Sequence, residues 1–382
     1  MNKKIAYLIL LIFFTSSAMA MSGSYQSLYL NQVVGLSNSL IGNYYTLSSV
    51  FNVLISLGLA YLSDRYTRLR KYIIYIGLIC AIGGYILYSR CHSFITITTV
   101  SCSLIAISSC ITPQLFALSN EVFSSQGLSR EQVSSKITML RTVISFSYVV
   151  GPIIGTLILQ ENQFIRLYLC MSLIYLISLL ILLVFFNRYE IKDEYKRKGN
   201  QNKINYYYLI YLFILFVFIQ IIHSTISNIF PVYLTNVKGY SNHIIGVISS
   251  YSAFLEIPLM IIWTYLIQRY SLKKLLIIGM LSGLLFIMIY PSINNVYICV
   301  ISYILNAIFY SSTIGLGLPF FQNLIPSSSG MSTTLFLNTS SVAKIISGSV
   351  LAIIGTNYYF LFLVMGMILI VSILSVFFVK IE

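Results

Sequence analysis

The sequence predicts an all-α membrane protein of twelve transmembrane helices in two pseudo-symmetric six-helix bundles. Three observations predict it: a composition too apolar for a soluble core, twelve apolar runs of spanning length, and an internal repeat. Of 382 residues, 58% are hydrophobic and 8% charged, whereas soluble domains carry about 25% charged residues. A helix needs about 20 apolar residues to cross a bilayer. Such runs fall at roughly 5–28, 40–62, 72–89, 94–118, 135–159, 165–186, 206–232, 243–267, 275–291, 296–320, 330–354 and 357–379. The repeat pairs Tyr-Leu-Asn-Gln-Val-Val-Gly-Leu-Ser-Asn-Ser-Leu-Ile-Gly at 29–42 with Tyr-Leu-Thr-Asn-Val-Lys-Gly-Tyr-Ser-Asn-His-Ile-Ile-Gly at 233–246. The register survives a whole span, since Tyr61-Leu62 and Arg65-Tyr66 recur as Tyr265-Leu266 and Arg269-Tyr270. The expected division is an N-terminal bundle at 1–186, a linker at 187–205 and a C-terminal bundle at 206–382. Duplicated halves of this kind build many secondary transporters, with the substrate site between them.

Charge distribution sets the topology. The chain holds 23 Lys and Arg against 9 Asp and Glu, a net charge of +14. With the N-terminus inside, the outer loops carry only Arg90, Arg166 and Lys238, and Arg141 and Lys344 lie within spans. All other cations fall on the inner side. That asymmetry follows the positive-inside rule and predicts two cytoplasmic termini. It also accounts for the basic balance without a nucleic-acid partner. Lys3-Lys4, an apolar run and Ala18-Met19-Ala20 have the layout of a signal peptide. The repeat requires 5–28 as the first span, so no cleavage is expected. The cysteines, at 80, 91, 102, 110, 170 and 299, have neither CxxC nor His spacing and read as small packing residues, with no metal or other cofactor expected.

Taken in order, the spans carry a sparse polar set. Span 1 is polar in its outer half, and polar groups in hydrocarbon need partners; the run reads either as helix–helix packing through small residues or as a cavity-lining face, which Tyr25 and Gln26 favour. Span 2 ends in Gly58-Leu-Ala-Tyr-Leu-Ser-Asp64-Arg65-Tyr-Thr-Arg68-Leu-Arg70-Lys71. Gly58 permits close helix approach, and Asp64 needs positive neighbours, such as the span 11 N-terminus near Ser327. Span 4 holds Pro113, which bends a helix, and Gln114, a candidate sugar ligand or a satisfied amide at a kink. Span 5 holds Arg141 and Gly151-Pro152-Ile-Ile-Gly155. Residues 187–205 are too short to fold alone. Span 7 brings His223 and Asn228, and span 8 brings Glu256, a carboxylate deep in the membrane. Such an acid either locks to Arg141 or Lys344 as a static pair or takes up and releases protons. Asn338 and Lys344 share span 11. Lys344 lies too deep to snorkel, about 20 Å along a helix rising 1.5 Å per residue.

The loop after span 2 is similar to the signature of the major facilitator superfamily, with altered spacing. Four segments together resemble the bacterial sugar efflux transporter family within it: Asp64-Arg65 with its basic loop, Pro113-Gln114-Leu-Phe-Ala-Leu, Leu255-Glu256-Ile257-Pro258, and Phe321-Gln322 through Thr333-Thr334-Leu-Phe-Leu-Asn338-Thr339-Ser340. The resemblance covers nearly the full length. It implies proton-driven export of small sugars or glycosides from the bacterial cytoplasm across the inner membrane. One departure stands out. The family pattern places Arg where this chain has Ser341, and here Lys344 follows three residues later on the same helical face.

From these readings the expectation is alternating access, with Glu256 carrying the proton and Arg141 and Lys344 tuning it. In the implied fold spans 5 and 8 meet, which brings Arg141 within reach of Glu256. Gln114, Asn228, Asn338, Tyr25, Gln26 and His223 are the expected sugar contacts, and Gly58, Asp64, Arg65 and Arg68 the conformational switch. The energy source is a proton gradient, and the working unit a monomer. A multidrug exporter on the same fold is the nearest alternative. A membrane enzyme lacks support, since neither a metal cluster, paired carboxylates nor a nucleophile–base spacing is present. A sensor would need an output domain, for which no segment is large enough.

Overall fold

A computed structural model describes residues 3–66, 68–126, 130–159, 163–188, 206–324 and 329–378. Every regular element among them is helical: α1 (Lys3–Gln32), α2 (Asn38–Arg65), α3 (Leu69–Tyr88), α4 (Phe94–Val100), α5 (Ala106–Ser108), α6 (Ile111–Ser124), α7 (Arg130–Ile158), α8 (Phe164–Arg188), α9 (Tyr206–Asn236), α10 (Asn242–Leu266), α11 (Leu272–Ile289), α12 (Val296–Leu324), α13 (Ser329–Ile354) and α14 (Tyr358–Phe378). Among the described residues, twelve helices are long and apolar enough to cross a membrane, the fourth being Phe94–Phe123, built from α4 to α6. The predicted linker 187–205 lies outside the described residues, apart from 187 and 188.

The fourth span departs from the sequence expectation in where it breaks. A π-helical turn, Ser101–Ile105, interrupts it, and the helix restarts at Ile111. Pro113 therefore sits in the first turn of α6, where a missing N–H costs nothing. The irregularity lies one turn before the proline.

The described residues form two compact units. The first comprises Met1–Leu36, Leu47–Arg197 and Ile245–Ser250, and the second Ser37–Thr46, Lys198–Ile244 and Tyr251–Glu382. Each unit thus holds one short helical segment from the other half of the chain.

In the first unit α1 packs along α7. Ser147 Oγ donates to Phe13 O across 3.1 Å, and a Cβ on Gly151 would lie 3.0 Å from the Cβ of Ala20. Small residues at this seam let the backbones approach, as packing within a bilayer requires. A tyrosine cluster fills the far end: Tyr29 lies edge-on to Tyr168 at 4.8 Å, and its hydroxyl donates to Tyr88 O at 2.8 Å.

In the second unit α13 packs along α9, with Ala343 against Val217 and Ile221 and Ser347 Oγ donating to Ser224 Oγ at 2.9 Å. Phe230, Phe286 and Tyr290 stack at its far end, with ring centroids 4.8–5.9 Å apart.

The sequence repeat has a geometric cause in each unit. Gly35 and Gly239 end α1 and α9 at φ +73° and +71°, where glycine escapes the Cβ penalty. The hydrogen bonds that follow match as well, with Leu36 N to Leu30 O at 2.9 Å and Tyr240 N to Leu234 O at 3.0 Å. Eight positions of the repeat thus encode one helix stop, turn and restart, used twice.

Candidate functional site

The charged end of α2 does not behave as one cluster. Gly58 is exposed, and a Cβ there would meet nothing within 4 Å. Among the described residues the expected close approach at Gly58 is absent, and Gly42, sixteen residues earlier, fills that role. The side chain of Asp64 and residues Ser327 and Ser328 lie outside the described set. Arg65 and Arg68 are exposed, and Arg65 rests over the ring of Tyr66 at 5.5 Å.

Arg70, which the sequence did not single out, turns inward instead and is 6% exposed. Its guanidinium pairs with Glu121 and donates from Nε to Gln114 Oε1 at 3.3 Å. Gln114 Nε2 in turn donates to Ser63 Oγ at 2.9 Å. Both ends of the Gln114 amide are therefore occupied by α2 and α3, the satisfied-amide alternative of the sequence reading. Burial leaves this network little access to water, so an orphaned partner is costly. We expect Gln114→Ala to lose about 1–3 kcal/mol of stability, read as a lower melting temperature in detergent. A ligand role would instead weaken sugar affinity with the melting temperature unchanged.

Tyr25 is fully buried. Its hydroxyl shares a 2.7 Å hydrogen bond with Thr156 Oγ1 and donates to Pro152 O at 3.1 Å. Proline at 152 leaves the carbonyl one turn earlier without its helical donor, and Tyr25 braces the adjoining turn. Gln26 is half-buried, and its Nε2 donates to Tyr88 Oη at 3.1 Å. Span 1 thus directs Tyr25 into a helix seam and Gln26 toward α3.

Arg141 is exposed on α7. At 3.6 residues per turn it lies roughly 120–160° around the helix from the open residues Met139, Phe146, Ile153 and Leu157, and about 20° from a further one, Tyr148. The cation shares its side with Ser145, Pro152 and Thr156.

In the second unit Glu256 is half-buried at the middle of α10. It lies roughly 140–180° around the helix from Val247, Phe254, Ile261 and Tyr265, which are 40%, 60%, 68% and 54% exposed. The acid is thus turned away from the apolar stripe that suits lipid. Ser252 Oγ donates to its Oε1 at 3.3 Å. One side of α10 is anchored beyond it, where Trp263 Nε1 donates to Ser311 Oγ of α12 at 3.0 Å.

Lys344 is exposed, yet it lies between two packed faces of α13. Ala343 and Ser347 on one flank meet α9. On the other flank Thr46 of α2 donates to Ile345 O at 3.3 Å. Of the exposed apolar residues of α13, Ile346 and Ile353 lie roughly 160° and 180° away, and Leu337, 59% exposed, about 20° away. Lys344 shares its open side with Leu337, between the two packed faces. Among the described residues, Glu256, Lys344 and Arg141 make no ion pair within 4.0 Å.

His223 is buried, with its ring stacked on Phe309 at 4.3 Å and edge-on to Tyr310 at 4.6 Å. Its Nε2 lies 2.7 Å from Thr313 Oγ1. Thr313 donates its own proton to Phe309 O at 2.8 Å, so Nε2 carries the histidine proton and donates it. Nδ1 is left as an acceptor with no partner among the described residues. Asn228 and Asn338 are half-buried. No three His, Cys, Asp or Glu converge as a metal site among the described residues.

A family model described as the Major Facilitator Superfamily matches residues 8–241 and 212–382. The chain is 27% identical to sugar efflux transporter A of Escherichia coli (strain K12), over 99% of this chain and 95% of that protein. It is 28% identical to sugar efflux transporter A of Dickeya chrysanthemi, over 91% and 88% of the two chains. It is also 28% identical to sugar efflux transporter C of Escherichia coli (strain K12), over 90% and 87%. Among solved structures, the nucleoside transporter NupG superposes with a TM-score of 0.83 at 13% identity, covering 99% of this chain and 100% of that one. A bacterial homologue of the iron transporter ferroportin gives 0.77 at 14% identity, over 99% and 98%. At these identities the structural likeness concerns the fold.

Proposed function

The chain belongs to the Major Facilitator Superfamily, a family of transporters and not enzymes, and from that premise we propose that it exports small sugars or glycosides in exchange for protons. It works by alternating access in the bacterial inner membrane, as a monomer with both termini in the cytoplasm. The carrying observation is Glu256, a carboxylate at mid-span turned away from the exposed apolar stripe of α10 and without an ion pair among the described residues. An acid in that setting is costly to keep ionised, and a transported proton discharges it. The sugar reading is supported by relatives named sugar efflux transporters across the length of the chain. Asn228 and Asn338 offer amide donors and acceptors, and the Nδ1 of His223 accepts a hydroxyl proton. Arg141 and Lys344 set how readily Glu256 gives up its proton.

Everted membrane vesicles loaded through an imposed pH gradient test this reading. Labelled neutral sugars and glycosides are expected to accumulate, and a protonophore is expected to collapse the accumulation. Accumulation of cationic drugs with no sugar uptake would assign the chain to multidrug export instead.

A further inference from the structure

We propose that the chain carries two matched clasps for the phosphate of anionic phospholipids, one at the end of α2 and one at the end of α10. The inference is independent of what the protein transports. It starts from the second part of the sequence repeat, Tyr61-Leu62 with Arg65-Tyr66 and Tyr265-Leu266 with Arg269-Tyr270. The turn repeat at 29–42 and 233–246 has a backbone reason to persist. The first of these later copies lies beside the loop that resembles the superfamily signature, but packing gives the tyrosines of neither copy a reason to persist, because all four are open: Tyr61 is 64% exposed, Tyr66 50%, Tyr265 54% and Tyr270 54%.

In each copy the arginine nevertheless reaches the hydroxyl of the tyrosine four residues earlier, although the ring it lies over differs. Arg65 Nη1 reaches Tyr61 Oη at 3.5 Å, and Arg269 Nη2 donates to Tyr265 Oη at 2.6 Å. Each guanidinium also lies against an aromatic ring, Arg65 over Tyr66 at 5.5 Å and Arg269 over Tyr265 at 5.0 Å. The backbone closes each pair alike, with Tyr66 N to Leu62 O and Tyr270 N to Leu266 O both at 2.9 Å. Arg65 and Arg269 are exposed and make no ion pair with a described carboxylate. Nearby Arg70 shows the contrast, since it is buried and paired with Glu121.

A guanidinium has five N–H donors. Here one meets a tyrosine hydroxyl, and exposure leaves the remaining donors open to a ligand. An open fork matches a phosphate in bidentate fashion. Exposed tyrosine at the end of a membrane helix belongs at headgroup level, where its ring is amphipathic. Basic residues at that level attract anionic lipid. Six spans separate the two copies in the chain, an even number of crossings, so topology puts both clasps in one leaflet. The positive-inside count makes that the inner one.

The test counts lipids retained by the full-length purified protein in mild detergent, by native mass spectrometry after incubation with phosphatidylglycerol or phosphatidylcholine. Wild type is expected to retain two more phosphatidylglycerol molecules than the Arg65→Gln, Arg269→Gln double variant. Each single variant should lose one, and phosphatidylcholine should show no such difference. Arg269→Lys keeps the charge without the fork and should retain less than wild type. Tyr265→Phe removes the aiming hydroxyl and serves should an arginine variant fail to fold; it too should weaken the second clasp. Equal phosphatidylglycerol retention by wild type and variants, or equal retention of both lipids by wild type, would overturn the proposal.

Discussion

Glu256→Gln is expected to reduce pH-gradient-driven efflux to background while sugar counterflow persists. The substitution keeps the shape, the Ser252 hydrogen bond and the position on α10, and removes only the ability to titrate. Counterflow needs binding and the conformational exchange but no net proton movement. Driven efflux needs a group that alternates between charged and neutral. Glu256 is the carboxylate placed for this among the described residues, since Glu121 already holds Arg70 and lies in the last turn of α6. The measurement is initial rate in everted vesicles with and without an imposed gradient, beside counterflow in the same vesicles. Driven efflux at the wild-type rate would remove Glu256 from the proton path. Loss of counterflow as well would give it a structural role.

How much of this was legible beforehand differs from residue to residue. The spans were, because a bilayer of fixed thickness demands runs of about 20 apolar residues, and each predicted run coincides with a helix or helix group. Glu256, Lys344 and Arg141 stood out because charge is rare inside a span. The place of Glu256 opposite the apolar stripe of α10 follows from helical period alone. Gln114 and Tyr25 were harder. Sequence shows that a polar group is buried, not whether a partner from a distant helix has already satisfied it. Gln114 meets Arg70 and Ser63, 44 and 51 residues away, and Tyr25 meets Thr156 at a separation of 131. Arg70 was hidden among four neighbouring cations, since only a fold reveals which one turns inward. Gly58 failed for the complementary reason. A glycine in a span announces the absence of a side chain, and only the neighbouring helix says whether that absence is used.

That distinction fixes the second large prediction. Gly42 and Gly246 close the two copies of the repeat, and each is used. A Cβ on Gly42 would fall on the backbone of Gly348 and Ala352, where Ser39 Oγ also donates to Ala352 O at 2.6 Å. A Cβ on Gly246 would fall on Thr156 Oγ1 and the Tyr25 hydroxyl, with Pro152 O next at 3.1 Å. The obstacles differ in kind, backbone in one case and side-chain tips in the other. Overpacking costs about 1–3 kcal/mol when neighbours can shift, and helix backbone cannot shift without moving the helix. Gly42→Leu is therefore expected to abolish driven efflux and counterflow together, while the protein still inserts and is recovered folded. Gly246→Ala should impair both more mildly. Adding Tyr25→Phe and Thr156→Ala to it should restore counterflow, because the two nearest obstacles are then gone. No comparable rescue exists for Gly42, whose obstacle is main chain. Full counterflow in Gly42→Leu, or failure of the triple variant to improve on Gly246→Ala, would show that these crossings are not closely packed in the working protein.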